Sequence, residues 1–582
     1  MAANEQSPEQ RELSLVGKVE MRIALADTDA KLESSLKTYL APLLLKLASE
    51  HQSVRNKVIS ICQHINTRVK PESIQLPVAA LIKQFKDQES SLIRHFDLLY
   101  IQQGLDRLRV SEKSTLLPVI ISGIAKSEGH GPTIFNLLLR LLETFQLPPR
   151  GDKADIELRT KHEVSDQDAA YVAAWLGKFL LFTPQKTTSQ TCPGLTPEEY
   201  AFFTVQGKPG VWDPAQGGMN LLRTKVLAAK LLASGMFKDE ERFLPALFAS
   251  ADTASTISDV GDDMMKRTLP ATDLEDEKLI HDLFTLYFGE GQAPRVRPPL
   301  RVKILGLLGK STKSTTFANK IMSLVEDGVA PPETDGEDTA MSGIPSTNRS
   351  NIGREATKLR SAVFSYVNFV ARYGGQETLH AIAPRVVSRL RGFIENQGWP
   401  KVGGNEDLVS RGYAYEVIGL LAKAGPRELL VEIDGTNFDL LRYLFSSLAQ
   451  DTSGSAIIVS IEEALSTVLS ATANLELNKS EQSVLENLFI EEMELSSDLE
   501  SNKRLRSTRY TAVRFANRCL PFSSVKARWV DVLGIGARGE RMELREEAER
   551  GLSPYWYRML NGSSAISGGE SVAFPDFNSV VE

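Results

Sequence analysis

Leu36-Lys37-Thr38-Tyr39-Leu40-Ala41-Pro42-Leu43-Leu44-Leu45-Lys46-Leu47, followed after a polar break by Val54-Arg55-Asn56-Lys57-Val58-Ile59-Ser60-Ile61, is the stretch that decides the fold. Leu36, Leu40, Leu43, Leu44 and Leu47 recur at the spacing of one helical face. Pro42 falls inside that pattern, where the missing N–H bends a helix. Ser49 to Ser53 breaks the pattern, and Val54, Val58, Ile61 and Ile65 then form a second apolar face, with Arg55 directly after its first residue. Two such helices make a hairpin that cannot cover its own apolar side, so another hairpin must stack on it.

The unit recurs. Leu76-Pro77-Val78 opens a stretch with Leu81, Ile82 and Phe85, and Ile93-Arg94 opens its partner with Phe96 and Leu99. Further openings are read at Leu117-Pro118-Val119, Leu244-Pro245-Ala246 and Ala383-Pro384-Arg385, and further second-helix starts at Leu359-Arg360 and Leu544-Arg545. Neighbouring openings stand roughly 35 to 41 residues apart, close to HEAT and armadillo units. The arginine at each second-helix start is expected to reach an aspartate or a backbone carbonyl of a neighbouring unit, because a helix start itself disfavours a cation. No sustained period-two alternation between hairpin turns is found. The pattern predicts an all-α, HEAT-like α-solenoid, a superhelical stack of antiparallel helix pairs.

Within this array the clearest single helix is Glu406 to Lys423, with Asn405 as cap, Val409, Tyr413, Val417, Leu420 and Leu421 on one face, and Gly425-Pro426 as stop. Thr183 to Pro197 reads as a polar loop broken by prolines. Residues 326–350 read as an acidic flexible loop or linker rich in Pro, Gly, Ser and Thr, dividing amino-terminal repeats (1–325) from further repeats (351–560). The stretch from Asn561 to Glu582 is rich in Gly and Ser and offers no polar terminal cap, so it is expected to be a flexible tail or the end of an amino-terminal piece.

Bulk properties narrow the function. At 582 residues the chain is too long for one core, and a net charge of −7 gives no global attraction to nucleic acid or anionic membrane. Cys62, Cys192 and Cys519 are too far apart for a disulfide framework or metal knuckle, and the seven histidines show no metal spacing. The first residues are polar, unlike a secretory leader, and no apolar run approaches the ~20 residues that span a bilayer. The expectation is a cytoplasmic and nuclear protein with no cofactor, no metal, no nucleic-acid partner and no transmembrane segment.

Four features invite a chemical reading. Gly306-Leu307-Leu308-Gly309-Lys310-Ser311 ends like a phosphate loop, but the spacing puts Ile304 where the first glycine belongs, and Val302 to Leu308 reads as a helix. Asp259, Asp262 and Asp263 read as the acidic first turn of a second helix in preference to metal ligands. Gly217-Gly218 and Gly403-Gly404 read as turns, and Trp212, Trp399, Trp529 and Trp556 as packing between repeats. The basic run Lys503, Arg504, Arg506, Arg509, Arg514 and Arg518, with Tyr510 and Val513 among it, is the candidate landing patch for an acidic partner, weighed against a solvated ridge with paired charges. No residue is assigned a catalytic role.

The amino-terminal text carries a resemblance. Val19 to Asp27, Tyr39 to Leu47, Val54-Arg55-Asn56-Lys57-Val58, Ile74 to Val78 and Pro245 to Asp252 resemble the HEAT-repeat proteasome adaptor and scaffold family, the extracellular-mutant family proteasome component. That resemblance implies a non-catalytic scaffold that binds the 26S proteasome, bridges its core and regulatory particles and modulates assembly and activity. It also implies transport or organelle-associated proteins as further partners, and a chain longer than this one. The competing expectation for the same architecture is a karyopherin-like transport receptor that binds cargo and a small GTPase.

Overall fold

The computed structural model describes residues 7–70, 73–126, 130–184, 191–204, 210–289, 291–330, 346–397, 405–432, 437–451, 454–497, 509–514, 517 and 541–560. Every named element among them is a helix, and a single antiparallel β-bridge joins Cys192 to Leu195. The fold class is the all-α, HEAT-like solenoid that the apolar spacing predicted. The chain forms two compact units, residues 1–272 with 288–300 and residues 273–287 with 301–582.

Unit 1 contains α1 (Pro8–Ala24), α2 (Asp29–Leu45), α3 (Gln52–Arg68), α4 (Val78–Asp87), α5 (Ser91–Leu105), α6 (Val110–Ile121) and α7 (Gly131–Leu141). It continues with the single turns α8 (Lys153–Ile156) and α9 (Leu158–Lys161), then α10 (Asp166–Leu181), α11 (Pro197–Thr204), α12 (Leu221–Leu232), α13 (Asp239–Ser250) and α14 (Ser255–Thr268). The deciding stretch is α2 and α3: Leu36, Leu40, Leu43 and Leu44 are buried in α2, Leu47 in the 3-10 turn Lys46–Ala48 that follows it, and Val54, Val58, Ile61 and Ile65 in α3. In the next pair Leu81, Ile82, Phe85 and Ile93 are buried as expected. Phe96 and Leu99 are only half-buried, and Tyr100, Ile101 and Leu105 take their place in the core.

Pro42 lies inside its helix, as its place in the apolar pattern predicts. Of the prolines read as openings, Pro77 stands at a helix start, whereas Pro118, Pro245 and Pro384 lie inside helices. Each interior proline removes one N–H and bends its helix, and the neighbour adapts. Gly177 of α10 lies against the Pro245 ring of α13, where a Cβ would come within 3.0 Å of the proline Cγ. A larger residue would force these two packed helices apart.

Unit 2 holds most of α15 (Glu277–Phe288) and α16 (Pro298–Leu308), then α17 (Ala318–Val329), α18 (Ser346–Tyr373), α19 (Gln376–Gln397), α20 (Asn405–Ala424), α21 (Asp439–Gln450), α22 (Ser455–Ala473), α23 (Lys479–Ser497) and α24 (Met542–Leu560). The expected linker at 326–350 is in part helical: α17 runs on to Val329 and α18 begins at Ser346, while 331–345 lie outside the described residues. The expected tail 561–582 lies outside them too. Helix α20 has the predicted extent but another buried face. Ala414, Tyr415, Val417, Ile418, Leu421 and Ala422 are buried, whereas Val409 is 52% exposed and Tyr413 and Leu420 are half-buried. The reason is that α18, α19 and α22 all pack on α20, so one stripe does not describe its interior.

Helix α22 also corrects the sequence reading of apolar runs. By length and composition alone it is apolar enough to cross a bilayer. Here it buries Ile457, Ile461, Leu465 and Val468 within the helical layer beside α20 and α21.

Helix ends are capped by side chains from elsewhere, which holds the layers in register. The C-terminal carbonyls of a helix carry partial negative charge and lack intrahelical donors. Arg68 of α3 donates to the carbonyls of Ile23 and Ala26 at the end of α1, and Lys86 of α4 to those of Val119 and Ser122 at the end of α6. Lys225 of α12, 8% exposed, donates to the Leu180 carbonyl of α10 at 2.6 Å, and burial holds its ammonium pKa down at about 8. Arg55, at the start of α3, acts more locally than expected and reaches the Ser49 (2.6 Å) and Glu50 (3.1 Å) carbonyls of its own hairpin turn. Leu359-Arg360 is not a helix start but lies inside α18, and Arg360 reaches the carbonyls of Gly328 (2.9 Å) and Ala330 (3.2 Å) at the end of the preceding helix. Arg94 instead lies over the Phe85 ring, 5.8 Å from its centroid.

Candidate interaction surface

Of the predicted basic patch, Arg509 and Arg514 fall on a described helical stretch, 509–514, and both are half-buried. Ala512 and Val513 on the same stretch are buried. Lys503, Arg504, Arg506 and Arg518 lie outside the described residues. Arg509 Nε is buried with no acceptor among the described residues.

The segment with phosphate-loop letters is built as a helix stop. Residues Gly306 to Leu308 end α16, and the turn through Gly309 to Ser311 leads into the 3-10 turn Lys313–Thr316. The backbone N–H groups that start this turn already hold an anion. Glu275 accepts from Thr312 N–H at 2.8 Å, from Lys313 N–H at 2.7 Å and from the Ser311 hydroxyl at 3.2 Å, and these donors help hold its carboxyl below the usual range against the opposing pull of desolvation. A carboxylate of the same unit therefore occupies the place where a phosphate would sit.

The acidic cluster lies in α14, but not in its first turn. The helix starts at Ser255, so Asp259, Asp262 and Asp263 fall further along. Asp263 pairs with Arg150 and stands 3.7 Å from Arg267. Among the described residues no three His, Cys, Asp or Glu side chains gather to hold a metal ion. Gly217 is in the left-handed region at φ 77° and closes the 3-10 turn Pro214–Gln216, as the turn reading expects. Gly403, Gly404, Trp399 and Trp529 lie outside the described residues, and Trp556 falls on α24.

The segment between α10 and α12 is more than the polar loop its sequence predicts: Cys192 and Leu195 are buried, and Gly194 N–H donates to the Pro294 carbonyl at 2.8 Å. Helix α11 follows, opened by a reciprocal cap: Thr196 N–H donates to Glu199 (2.9 Å) and Glu199 N–H to the Thr196 hydroxyl (3.2 Å). That Thr-x-x-Glu spacing was the signal available in the sequence. Phe202 of α11 stacks on Trp175 of α10 with centroids 3.5 Å apart, and Lys178 lies 4.7 Å from the Trp175 centroid. Trp212 donates its indole N–H to the Phe203 carbonyl at 2.9 Å and packs beside Phe179 and Phe182. The aromatics thus fasten this segment to the helical layer.

The comparisons with known proteins agree in direction. Residues 16–534 match the family described as "Proteasome component ECM29, N-terminal". The proteasome component ECM29 of Saccharomyces cerevisiae is 27% identical over an alignment covering 96% of this chain and 30% of its own length. The human proteasome adapter and scaffold protein ECM29 is 23% identical over 94% of this chain and 29% of its own, and the Drosophila melanogaster proteasome-associated protein ECM29 homolog 28% over 52% and 16%. The chain therefore spans about 30% of the length of the yeast and human relatives. Among solved structures SYS-1 aligns over 93% of this chain and 99% of its own at 10% identity and a TM-score of 0.32, too loose a superposition to bear on either fold or function. With nine-tenths of its residues inside the family match, this chain belongs to the proteasome component ECM29 family, in the amino-terminal region of its members.

Proposed function

We propose that this chain is part of a non-catalytic proteasome adaptor, a helical-repeat scaffold that contacts both the core and the regulatory particle of the 26S proteasome and modulates its assembly and activity. The observation that carries the reading is family membership over residues 16–534, together with the description of the human relative as an adapter and scaffold protein. The architecture supports it: stacked helix pairs present extended surface for protein partners without needing a reactive centre. Transport or organelle-associated proteins are proposed as further partners, and the cytoplasm and nucleus as the compartments.

Affinity capture of the intact gene product from cell extract tests the reading. Core and regulatory particle subunits are expected to be recovered together. Recovery of neither, or of a nucleotide-sensitive complex with a small GTPase in their place, overturns it.

A further inference from the structure

Unit 1 carries a cavity of about 200 Å³ whose apolar wall is Leu147, Pro148, Ala233 and Val260. Its shape is fixed by the buried Asp155 carboxylate, which accepts the backbone N–H of Gly151 at 3.0 Å and of Gly235 at 2.9 Å. Those two bonds tie the loop after α7 to the turn after α12. The neighbouring Ser234 hydroxyl donates to the Leu231 carbonyl at 2.6 Å. The polar groups of the wall are thus already satisfied by the chain itself.

Two cations, Arg150 and Lys230, line the cavity. Arg150 shares the carboxylate of Asp263 with Arg267 of α14. Lys230 lines the cavity, is exposed, and has no hydrogen-bond or ion-pair partner among the described residues. Ile156, directly after Asp155, is 69% exposed, so apolar surface continues beside Asp155. The volume falls below the roughly 300–1,000 Å³ of small-molecule sites and suits one large side chain. Arg150, Arg267 and Lys230 set against the carboxylates of Asp155 and Asp263 leave too little positive charge to hold a nucleic-acid backbone, and such a ligand would leave the apolar wall unfilled.

We propose that this cavity is an anchor site for an acidic peptide segment of a partner protein, with one apolar side chain inside and flanking carboxylates on Lys230 and Arg150. The site is independent of the proteasome reading, because it specifies the chemistry of the segment and not its owner. The test uses the full 582-residue chain. Three synthetic peptides serve as probes: a central leucine among glutamates and aspartates, the same peptide with central alanine, and a central leucine among lysines. Binding is followed by fluorescence anisotropy and by the methyl NMR signals of Leu147 and Val260.

The acidic leucine peptide is expected to shift both methyl signals and to bind roughly tenfold or more tighter than its alanine counterpart, from burial of the leucine. The lysine-flanked peptide is expected not to bind. Val260→Trp, which fills the cavity, and Lys230→Glu, which reverses an exposed charge, should each weaken the acidic leucine peptide about tenfold or more. Lys230→Glu keeps the test decisive should the filled variant fold poorly. Equal affinity for the leucine and alanine peptides, or unchanged affinity in Lys230→Glu, overturns the proposal.

Discussion

Glycine to alanine is the same chemical change at Gly306 and at Gly261, yet the structure assigns it opposite signs. Both lie in helices, where alanine is favoured over glycine by about 1 kcal/mol. At Gly306 of α16 an added Cβ meets nothing within 4 Å, so the full gain of about 1 kcal/mol is expected. At Gly261 of α14 the Cβ would lie 2.2 Å from Ser250 N, 2.5 Å from Ala249 C and 2.7 Å from Ser250 Cα, all backbone of α13. No rotamer relieves a clash with backbone, so the two helices must separate by about 1 Å, a shift that opens the packing of Ile257 and Met264 beside it. Overpacking of this kind costs about 1–3 kcal/mol and sometimes more, which outweighs the propensity gain.

The assay is amide exchange read peptide by peptide, because a repeat array opens locally and a single melting temperature blurs its parts. Peptides of α13 and α14 should exchange about tenfold or more faster in Gly261→Ala, and peptides of α16 about fivefold slower in Gly306→Ala. Slower exchange of α13 and α14 in Gly261→Ala would refute the close-packing argument. The Gly306 variant also bears on the Gly-Lys-Ser segment: if that segment bound a nucleotide as a glycine loop, alanine would weaken the complex, whereas a helix end predicts only the stability gain.

Three further outcomes follow from charged groups held inside the chain's own hydrogen-bond network. Burial raises the carboxyl of Asp97, which is 0% exposed and takes one hydrogen bond from Gln84 at 3.1 Å, to about 7 from its ordinary 3.8. Between those values the folded chain keeps a proton the unfolded chain has lost, so stability falls as pH rises through about 4 to 7. Asp97→Asn should flatten that dependence in urea titrations and raise stability at pH 8, by at most about 4 kcal/mol; an unchanged pH slope would count against it. Glu275→Ala removes the acceptor for Thr312 and Lys313 N–H and should cost about 1–2 kcal/mol, seen as faster exchange confined to residues 311–316. Arg411 and Asp451, 3% and 1% exposed with 3.7 Å between them, form a buried pair. Arg411→Met alone should cost about 3–5 kcal/mol in urea titrations, and adding Asp451→Leu should recover most of it.

What could be read from sequence divides along the range of the forces involved. The α2–α3 hairpin was legible because its signal is local: one apolar stripe, one polar turn, one more stripe. Pro118 misled because a proline near a helix end and one at its start look alike. The true start of α6 at Val110 is followed by the polar run Ser111 to Thr115, which hides it. The face of α20 was misread because three neighbours bury it, and periodicity assumes one. The candidate surfaces were hidden for another reason. Arg150 and Asp263 meet across 113 residues, and neither carries a neighbour that announces the other.

The lysines of α12 make the same point at the scale of one helix. Lys225 and Lys230 are five residues apart, which at 100° per residue sets them about 140° apart around the axis. One side of α12 faces α10, and there Lys225 caps the Leu180 carbonyl and is 8% exposed. On the side lining the cavity, Lys230 is exposed and meets no acceptor among the described residues. Desolvation therefore fixes Lys225 as structure, because removing its ammonium strands a buried carbonyl. Lys230 loses nothing of the fold when its charge is reversed. The role of each lysine on α12 thus follows from what its ammonium faces: Lys225 meets a buried helix-end carbonyl, whereas Lys230, with no carbonyl or carboxylate partner among the described residues, is the one left for a partner protein.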